Sequence, residues 1–135
     1  MRTLGWPYSF RPRSWEEIDS DFAGIANEHE QFRYVSAIVK SVLASDAMER
    51  LAACTSMNDL MVVATPIPKP PYDLVVVRAP LASLHPPGEG QVLIEHVSVT
   101  GRNDKVERPV ADAVPLFWRF MIEKFGVTPT RDPHT

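Results

Sequence analysis

The sequence predicts an α+β fold, in which N-terminal helices precede a mostly antiparallel sheet of about four strands and a buried C-terminal helix. Three patterns support this prediction. Apolar residues recur at helical spacing in the first third of the chain, short β-branched runs follow, and residues 114–125 are apolar around most of a helical circumference. A chain of 135 residues has room for one domain, so we expect residues 1–135 to share a single core.

Residues 1–13 are predicted to form an extended aromatic arm. Trp6, Tyr8 and Phe10 are spaced by two between prolines, so an extended backbone would direct all three rings to the same side. Such an arm either closes over the protein's own core or docks on a partner. We favour the first interpretation, because chain ends are ordered when they are tied down.

The first helix is predicted from a capping box. Ser14 and Glu17 match the S-x-x-E pattern, in which each side chain accepts a hydrogen bond from the other residue's backbone N–H group. Apolar residues then recur on one side of the predicted helix: Trp15, Ile18, Phe22 and Ile25. A helix therefore begins at this point in the chain.

A second helix is expected to run from about Glu28 to about Ser45. Its apolar stripe consists of Phe32, Val35, Ile38, Val39 and Val42. Asp46 and Glu49 form another capping pattern, which predicts a short third helix through residues 51–54.

The middle of the chain predicts strands. Residues 60–64 and 72–77 are β-branched runs that are too short for typical helices and are bounded by prolines. Their nearly continuous apolar character indicates central strands or burial on both faces. Residues 91–100 predict a third strand, and a glycine turn then leads to a short return strand at residues 105–108, which makes a hairpin.

The C-terminal helix, residues 114–125, carries too much apolar surface for one sheet face to cover. The N-terminal helices or a second subunit must therefore cover the rest. We expect a homodimer formed through this helix, including Phe117 and Phe120, or through the sheet beside it; a monomer with a well-covered helix is the alternative. Residues 128–135 are predicted to form a frayed tail.

Composition excludes several classes of protein. The net charge of −3 argues against a general nucleic-acid-binding protein, and no apolar run is long enough to span a membrane. The first residues lack the apolar core of a secretory signal, and the single cysteine, Cys54, cannot form an internal disulfide. We therefore expect a cytoplasmic protein.

No motif indicates catalysis, a metal or a cofactor. The histidines and Cys54 lack the paired spacing of zinc sites, and the glycines around Glu89 match neither a phosphate-binding loop nor a dinucleotide fingerprint. We therefore predict no catalytic residue, no metal ligand and no cofactor. The proline- and glycine-rich connection at residues 79–90 is unusually long, and loops of that length are often functional.

Glu95 and His96 are the candidate pocket residues. They are adjacent within a predicted strand, so their side chains must point to opposite faces of the sheet. If both faces are covered, one of the two is buried, and a buried titratable group in a pocket can act as an acid or a base. The alternative for His96 is a hydrogen-bonded core histidine.

Three functional hypotheses follow. The first is a non-catalytic protein that acts through protein–protein association, with an interaction surface drawn from Trp6, Tyr8, Phe10, Phe117 and Phe120. The second is a small-molecule-binding or enzymatic domain with a pocket between a curved sheet and a helix, lined in part by Glu95 or His96. The third is an antagonist whose acidic N-terminal helix binds a basic target protein.

Overall fold

The computed structural model describes residues 5–81 and 86–129. Within these residues three α-helices and five strands are present. The helices are α1 (Trp15–Glu28), α2 (Arg33–Ala44) and α3 (Ala113–Phe120). The strands are β1 (Leu51–Ser56), β2 (Asp59–Ala64), β3 (Leu74–Val77), β4 (Gln91–Val97) and β5 (Asp104–Pro109). Residues 1–4 of the predicted arm, residues 82–85 of the long connection and residues 130–135 of the predicted tail lie outside the described residues.

The α+β class is confirmed, with one strand more than expected. The five strands form a single antiparallel sheet in chain order, from β1 at one edge to β5 at the other. The N-terminal helices and the C-terminal helix occupy the predicted places. The hairpin predicted near residues 91–108 is formed by β4 and β5.

The predicted short helix at residues 51–54 is wrong, because these residues begin β1. The Asp46–Glu49 pattern leads instead into a 3₁₀ turn, Met48–Arg50, which ends before Leu51. Leu51 and Ala53 are buried in the core, so pairing with β2 outweighs the local helical signal. The turn between β1 and β2 consists of Met57 (φ 51°) and Asn58 (φ 68°). Both residues have positive φ, and methionine is not a residue that usually indicates such a turn in a sequence.

The helix start at Ser14 is confirmed. The Ser14 hydroxyl oxygen accepts a 3.1 Å hydrogen bond from the backbone N–H group of Glu17. This bond satisfies one of the free N–H groups at the start of α1. Trp15, Ile18 and Phe22 are buried on the face of α1 that turns toward the core.

The sheet separates two apolar clusters of unequal size. The main core lies between the sheet and the three helices, and its sheet residues include Ala53, Val62, Val75, Val77 and Ile94. The smaller cluster lies on the outer face and contains Phe10, Met61, Val63, Tyr72, Leu74 and Val76. Because alternate strand residues enter different clusters, the central strands β2 and β3 are buried on both faces, as their apolar runs predicted.

The C-terminal helix is buried within a single chain. Phe117 is 0% and Phe120 2% exposed, so neither offers a surface to a partner, contrary to the predicted interaction surface. Both α2 and β4 pack against α3, and the Ser41 hydroxyl oxygen on α2 accepts a 3.0 Å hydrogen bond from the indole N–H group of Trp118. The helix continues as a π-helical turn, Met121–Phe125, and ends at Gly126, whose φ of 66° is left-handed.

Candidate functional site

An open groove of about 850 Å³ lies beside the start of α2. Its other walls are the described part of the connection after β3, and the residues that immediately follow β5. Tyr34 lies buried at its floor, while Leu81 and Val110 on its walls are 44% and 40% exposed. Glu30, Arg33, Gln31, Glu89 and Gln91 supply polar groups around it. The groove therefore combines apolar walls with a charged rim.

A short 3₁₀ turn, Glu30–Phe32, positions one side of the groove. Phe32 is buried and its ring stacks on that of Phe22, with 6.4 Å between ring centroids. This anchor leaves Glu30 and Arg33 exposed on the rim. Tyr34 lies on the buried side of α2. Glu30 and Arg33 therefore point to solvent, while the phenol of Tyr34 points into the protein.

The phenol of Tyr34 connects the floor of the groove to the sheet. Its hydroxyl group donates a 2.6 Å hydrogen bond to the main-chain carbonyl oxygen of Arg78. Burial raises the pKa of Tyr34 well above its ordinary value, and the negative charge of Asp59 adds to the effect. The phenol therefore remains protonated, which suits a structural hydrogen-bond donor better than an acid–base catalyst.

Main-chain hydrogen bonds hold the opposite side of the groove. The N–H group of Gln91 donates to the carbonyl oxygen of Gly88, and that of Val110 donates to the carbonyl oxygen of Gly90, each at 3.0 Å. Gly90 has a φ of 72°, a conformation that residues with a Cβ atom rarely adopt. These contacts tie the end of the long connection to the β4–β5 hairpin and place Val110 on the groove wall.

Glu95 belongs to an ion-paired cluster on the outer face of the sheet. Arg78 Nη1 lies 3.0 Å from Asp59 Oδ2, and Arg78 Nε donates to Glu95 Oε2 at 2.8 Å. A second Arg78 nitrogen, Nη2, also contacts Glu95. Lys105 Nζ lies 3.8 Å from Glu95 Oε1, and Asp59 Oδ1 accepts a 2.6 Å bond from the N–H group of Ala79. Both carboxylates thus have cationic or N–H partners.

His96 lies on the other face of the sheet, as its position next to Glu95 required. Its register partner, Val75, belongs to the main core, whereas the partner of Glu95, Val76, belongs to the outer cluster. His96 Nε2 is buried and lies 3.3 Å from Asp73 Oδ2, but it forms no hydrogen bond with any described residue. The two polar groups are therefore close to each other without a hydrogen bond between them.

Neither Glu95 nor His96 is among the described residues that line the groove. Sequence reasoning selected them because adjacent titratable residues within a strand are conspicuous. The groove residues Tyr34, Leu81 and Val110 belong to no recognisable motif and come from distant parts of the chain. The one sequence signal close to them was the unusual length of the connection at residues 79–90.

The aromatic arm is tied to the sheet through β3. Trp6 and Tyr72 exchange two main-chain hydrogen bonds of 2.9 and 3.3 Å, and the Tyr72 hydroxyl group donates to the carbonyl oxygen of Tyr8 at 2.7 Å. Phe10 is buried in the outer cluster, whereas Tyr8 is 67% exposed. The three rings therefore do not share one environment, since Phe10 closes the protein's own core and Tyr8 faces solvent.

The described residues hold no cluster of three or more histidine, cysteine, aspartate or glutamate side chains that could bind a metal ion. Cys54 is half-buried, and burial raises the pKa of its thiol. A protonated thiol is a poor nucleophile, so this residue is better suited to packing than to covalent chemistry.

The fold and the groove together define an α+β protein with an antiparallel five-stranded sheet, helices on one face and an open groove at the start of α2. Over residues 5–81 and 86–129, no helix is both long enough and apolar enough to cross a membrane. No family model matches this chain, and neither a curated protein nor a solved structure matches it.

Proposed function

We propose that this protein is a non-catalytic binding protein that acts through protein–protein association, and that its groove accepts an extended segment of a partner. The observation that carries the proposal is the groove itself, which is open to solvent and combines apolar walls with a charged rim. Leu81 and Val110 are exposed apolar side chains that line the groove, and the buried Tyr34 lines it with them. An apolar side chain of a bound segment would shield all three from water.

The charges on the rim favour a basic residue beside that apolar anchor. Glu30 and Glu89 both lie on the rim, and Arg33 is the cation beside them. Glu28, at the end of α1, adds an exposed carboxylate near the same turn. Negative charge therefore exceeds positive charge here, so a lysine or arginine in the bound segment would be attracted electrostatically.

A binding role also agrees with the contacts of Tyr34 and of the ion-paired cluster that shares Arg78 with it. Tyr34 is a buried hydrogen-bond donor to Arg78. Asp59 and Glu95 are paired with the Arg78 side chain. Groups that are already held by partners of this kind are poorly placed to exchange protons with a substrate. The single cysteine of the chain fits the reducing cytoplasm, which we propose as the compartment.

A displayed library of linear peptides tests the proposal. Peptides selected on the wild-type protein should contain an apolar residue next to a basic one, and they should bind about tenfold or more weakly to Leu81→Arg and Val110→Arg. Ile67→Arg is the matched control, since Ile67 is 41% exposed in the connection between β2 and β3 and does not line the groove. Binding should weaken as salt rises.

Peptides that bind the two groove variants and the control equally well would place the association elsewhere on the surface. A library that yields no enriched peptide would also count against the proposal. All three substituted positions are exposed, so each variant should fold, and circular dichroism spectra that match the wild type would verify this.

A small-molecule ligand is the second candidate for the same groove. The volume of about 850 Å³ lies within the range of small-molecule sites, roughly 300–1,000 Å³. Thermal shift measurements with a metabolite panel address this candidate. A ligand that stabilises the wild type and Ile67→Arg, but not Leu81→Arg, would support it, and a shift that all variants share would exclude the groove as its site.

A further inference from the structure

We propose that two copies of this chain form a symmetric dimer by pairing their β5 strands antiparallel, so that two five-stranded sheets become one continuous sheet. β5 is the last strand of the sheet, and its residues Lys105, Glu107, Arg108 and Pro109 are exposed. Edge strands present unpaired N–H and C=O groups, which makes them templates for strand addition. This dimer would form independently of a partner in the groove.

The hydrogen-bond pattern shows which main-chain groups of β5 do not bond to β4. In the register of β4 and β5, Gln91 faces Pro109, so the next pair along is Gly90 and Val110. The N–H group of Val110 donates to Gly90, which identifies that pair as hydrogen-bonded. Because hydrogen-bonded and non-hydrogen-bonded pairs alternate, residues 108, 106 and 104 also bond to β4.

The residues between them must direct their main-chain groups away from β4. These are Lys105 and Glu107, whose N–H and C=O groups point to the open edge. A contact on the other side of β4 agrees with this pattern. Leu93 is the register partner of Glu107, and its carbonyl oxygen accepts a 3.0 Å hydrogen bond from the N–H group of Arg78, which directly follows β3. The Leu93 carbonyl group therefore points away from β5.

The sequence of β5 is complementary to itself in the antiparallel direction. Residues 104–108 read Asp-Lys-Val-Glu-Arg. When two copies are centred on Val106, each Lys105 faces Glu107 of the second copy and each Asp104 faces its Arg108. Every charged residue then lies opposite one of opposite sign, and Val106 faces Val106. Opposite charges placed directly across two strands stabilise their pairing.

The same alignment pairs the main-chain groups that point away from β4. Lys105 of one copy and Glu107 of the other both point outward, so this pair exchanges two hydrogen bonds. The symmetric pair exchanges two more. Centring the dimer on Lys105 or on Glu107 instead would place identical charges opposite each other, so the charge pattern selects Val106 as the centre.

Contacts within one chain already involve this edge. Lys105 Nζ lies 3.8 Å from Glu95 Oε1 and would share its charge between Glu95 and Glu107 of the second copy. Arg108 Nη1 donates a 2.9 Å bond to the carbonyl oxygen of Glu107, and this exposed guanidinium would move to Asp104 of the second copy. Asp104 would keep Lys124, whose Nζ lies 3.0 Å from its Oδ2. Val106 already packs against the main core, so contact between two Val106 residues would extend that core across the interface.

The test is the mass of the full chain in solution. From about 1 μM to about 1 mM, light scattering should show the mass rising from 15.1 kDa toward twice that value. Lys105→Glu and Glu107→Lys each create two like-charge pairs in the dimer, so each variant alone should remain at 15.1 kDa. In a mixture of the two, each introduced side chain meets the opposite charge, and the dimer should return.

Recovery of the dimer in the mixture cannot come from better folding of either variant, because the two variants are folded separately before mixing. The mixture therefore separates loss of pairing from loss of stability. Arg102→Glu is the control, because it changes the net charge as Lys105→Glu does but lies outside β5, and it should still dimerise. A wild-type mass of 15.1 kDa at every concentration would overturn the inference. So would a dimer that both β5 variants retain, or a mixture that stays monomeric.

Discussion

The hydroxyl group of Tyr34 lies 2.6 Å from the main-chain carbonyl oxygen of Arg78 and donates a hydrogen bond to it. Through this contact the start of α2 is joined to the end of β3. The side chain of the same arginine binds Asp59 and Glu95 on the outer face of the sheet. Arg78 therefore connects Tyr34, which lines the groove, with the partly buried ion pairs.

Tyr34→Phe should lower the free energy of unfolding by about 1–2 kcal/mol, because it leaves the Arg78 carbonyl group without its donor while keeping the ring in place. Urea denaturation monitored by tryptophan fluorescence measures the change. Tyr8→Phe is the control: Tyr8 is 67% exposed, so its loss should be about 0.5 kcal/mol or less. Equal effects at the two positions would contradict a structural role for the Tyr34 hydroxyl group.

Arg78→Met should destabilise the protein by about 3–5 kcal/mol, because it leaves the carboxylates of Asp59 and Glu95 without their shared cation. Neutralising those partners as well, in Asp59→Asn/Arg78→Met/Glu95→Gln, should recover part of the loss. Arg119→Met is the control, since its 2.9 Å pair with Glu123 lies on the surface. Equal denaturation midpoints for Arg78→Met and Arg119→Met would contradict this prediction. They would mean that water screens the Asp59–Arg78–Glu95 cluster as it screens a surface ion pair.

Phe117→Ala should cost about 3–5 kcal/mol of stability, because Phe117 is fully buried and its removal leaves a cavity between α3 and the core. Ile122→Ala, at the exposed side of the π-helical turn that follows α3, should cost about 0.5 kcal/mol or less, since Ile122 is 46% exposed. Thermal unfolding of both variants measures the difference. A larger loss at Ile122 would mean that the exposed side of this helix is covered in solution.

The Asp104–Lys124 pair predicts a specific pH dependence. The hydrogen bond from Lys124 holds the pKa of Asp104 below its ordinary value. A carboxyl group whose folded pKa is depressed stabilises the protein above its unfolded pKa of about 3.9, and this contribution is lost as pH falls through the folded value. The stability difference between wild type and Lys124→Met should therefore be constant near neutral pH and shrink below about pH 4.

Denaturation series at several pH values would measure this difference, and nuclear magnetic resonance can follow the Asp104 carboxyl group directly. In Lys124→Met its pKa should move up toward the ordinary value. A pKa that stays the same in both proteins would show that other groups perturb Asp104.

Local patterns predicted much of the fold because they are physical signals carried by neighbouring residues. Ser14 caps α1 through a residue three positions away, and the apolar runs of β2 and β3 report burial on both faces. The same kind of reasoning failed at Leu51. A local capping pattern indicated a helix there, whereas pairing with β2 and burial in the core stabilised a strand.

The sequence by itself determined the α+β class, the burial of the C-terminal helix and the opposite orientations of Glu95 and His96. Each depends on hydrophobic periodicity or on strand geometry, which short segments contain. The tertiary structure alone decided that α2 packs against α3, that Arg78 binds Glu95, and that Tyr34, Leu81 and Val110 meet around one groove. Those contacts join residues far apart in the chain, so their formation depends on the packing of the whole domain.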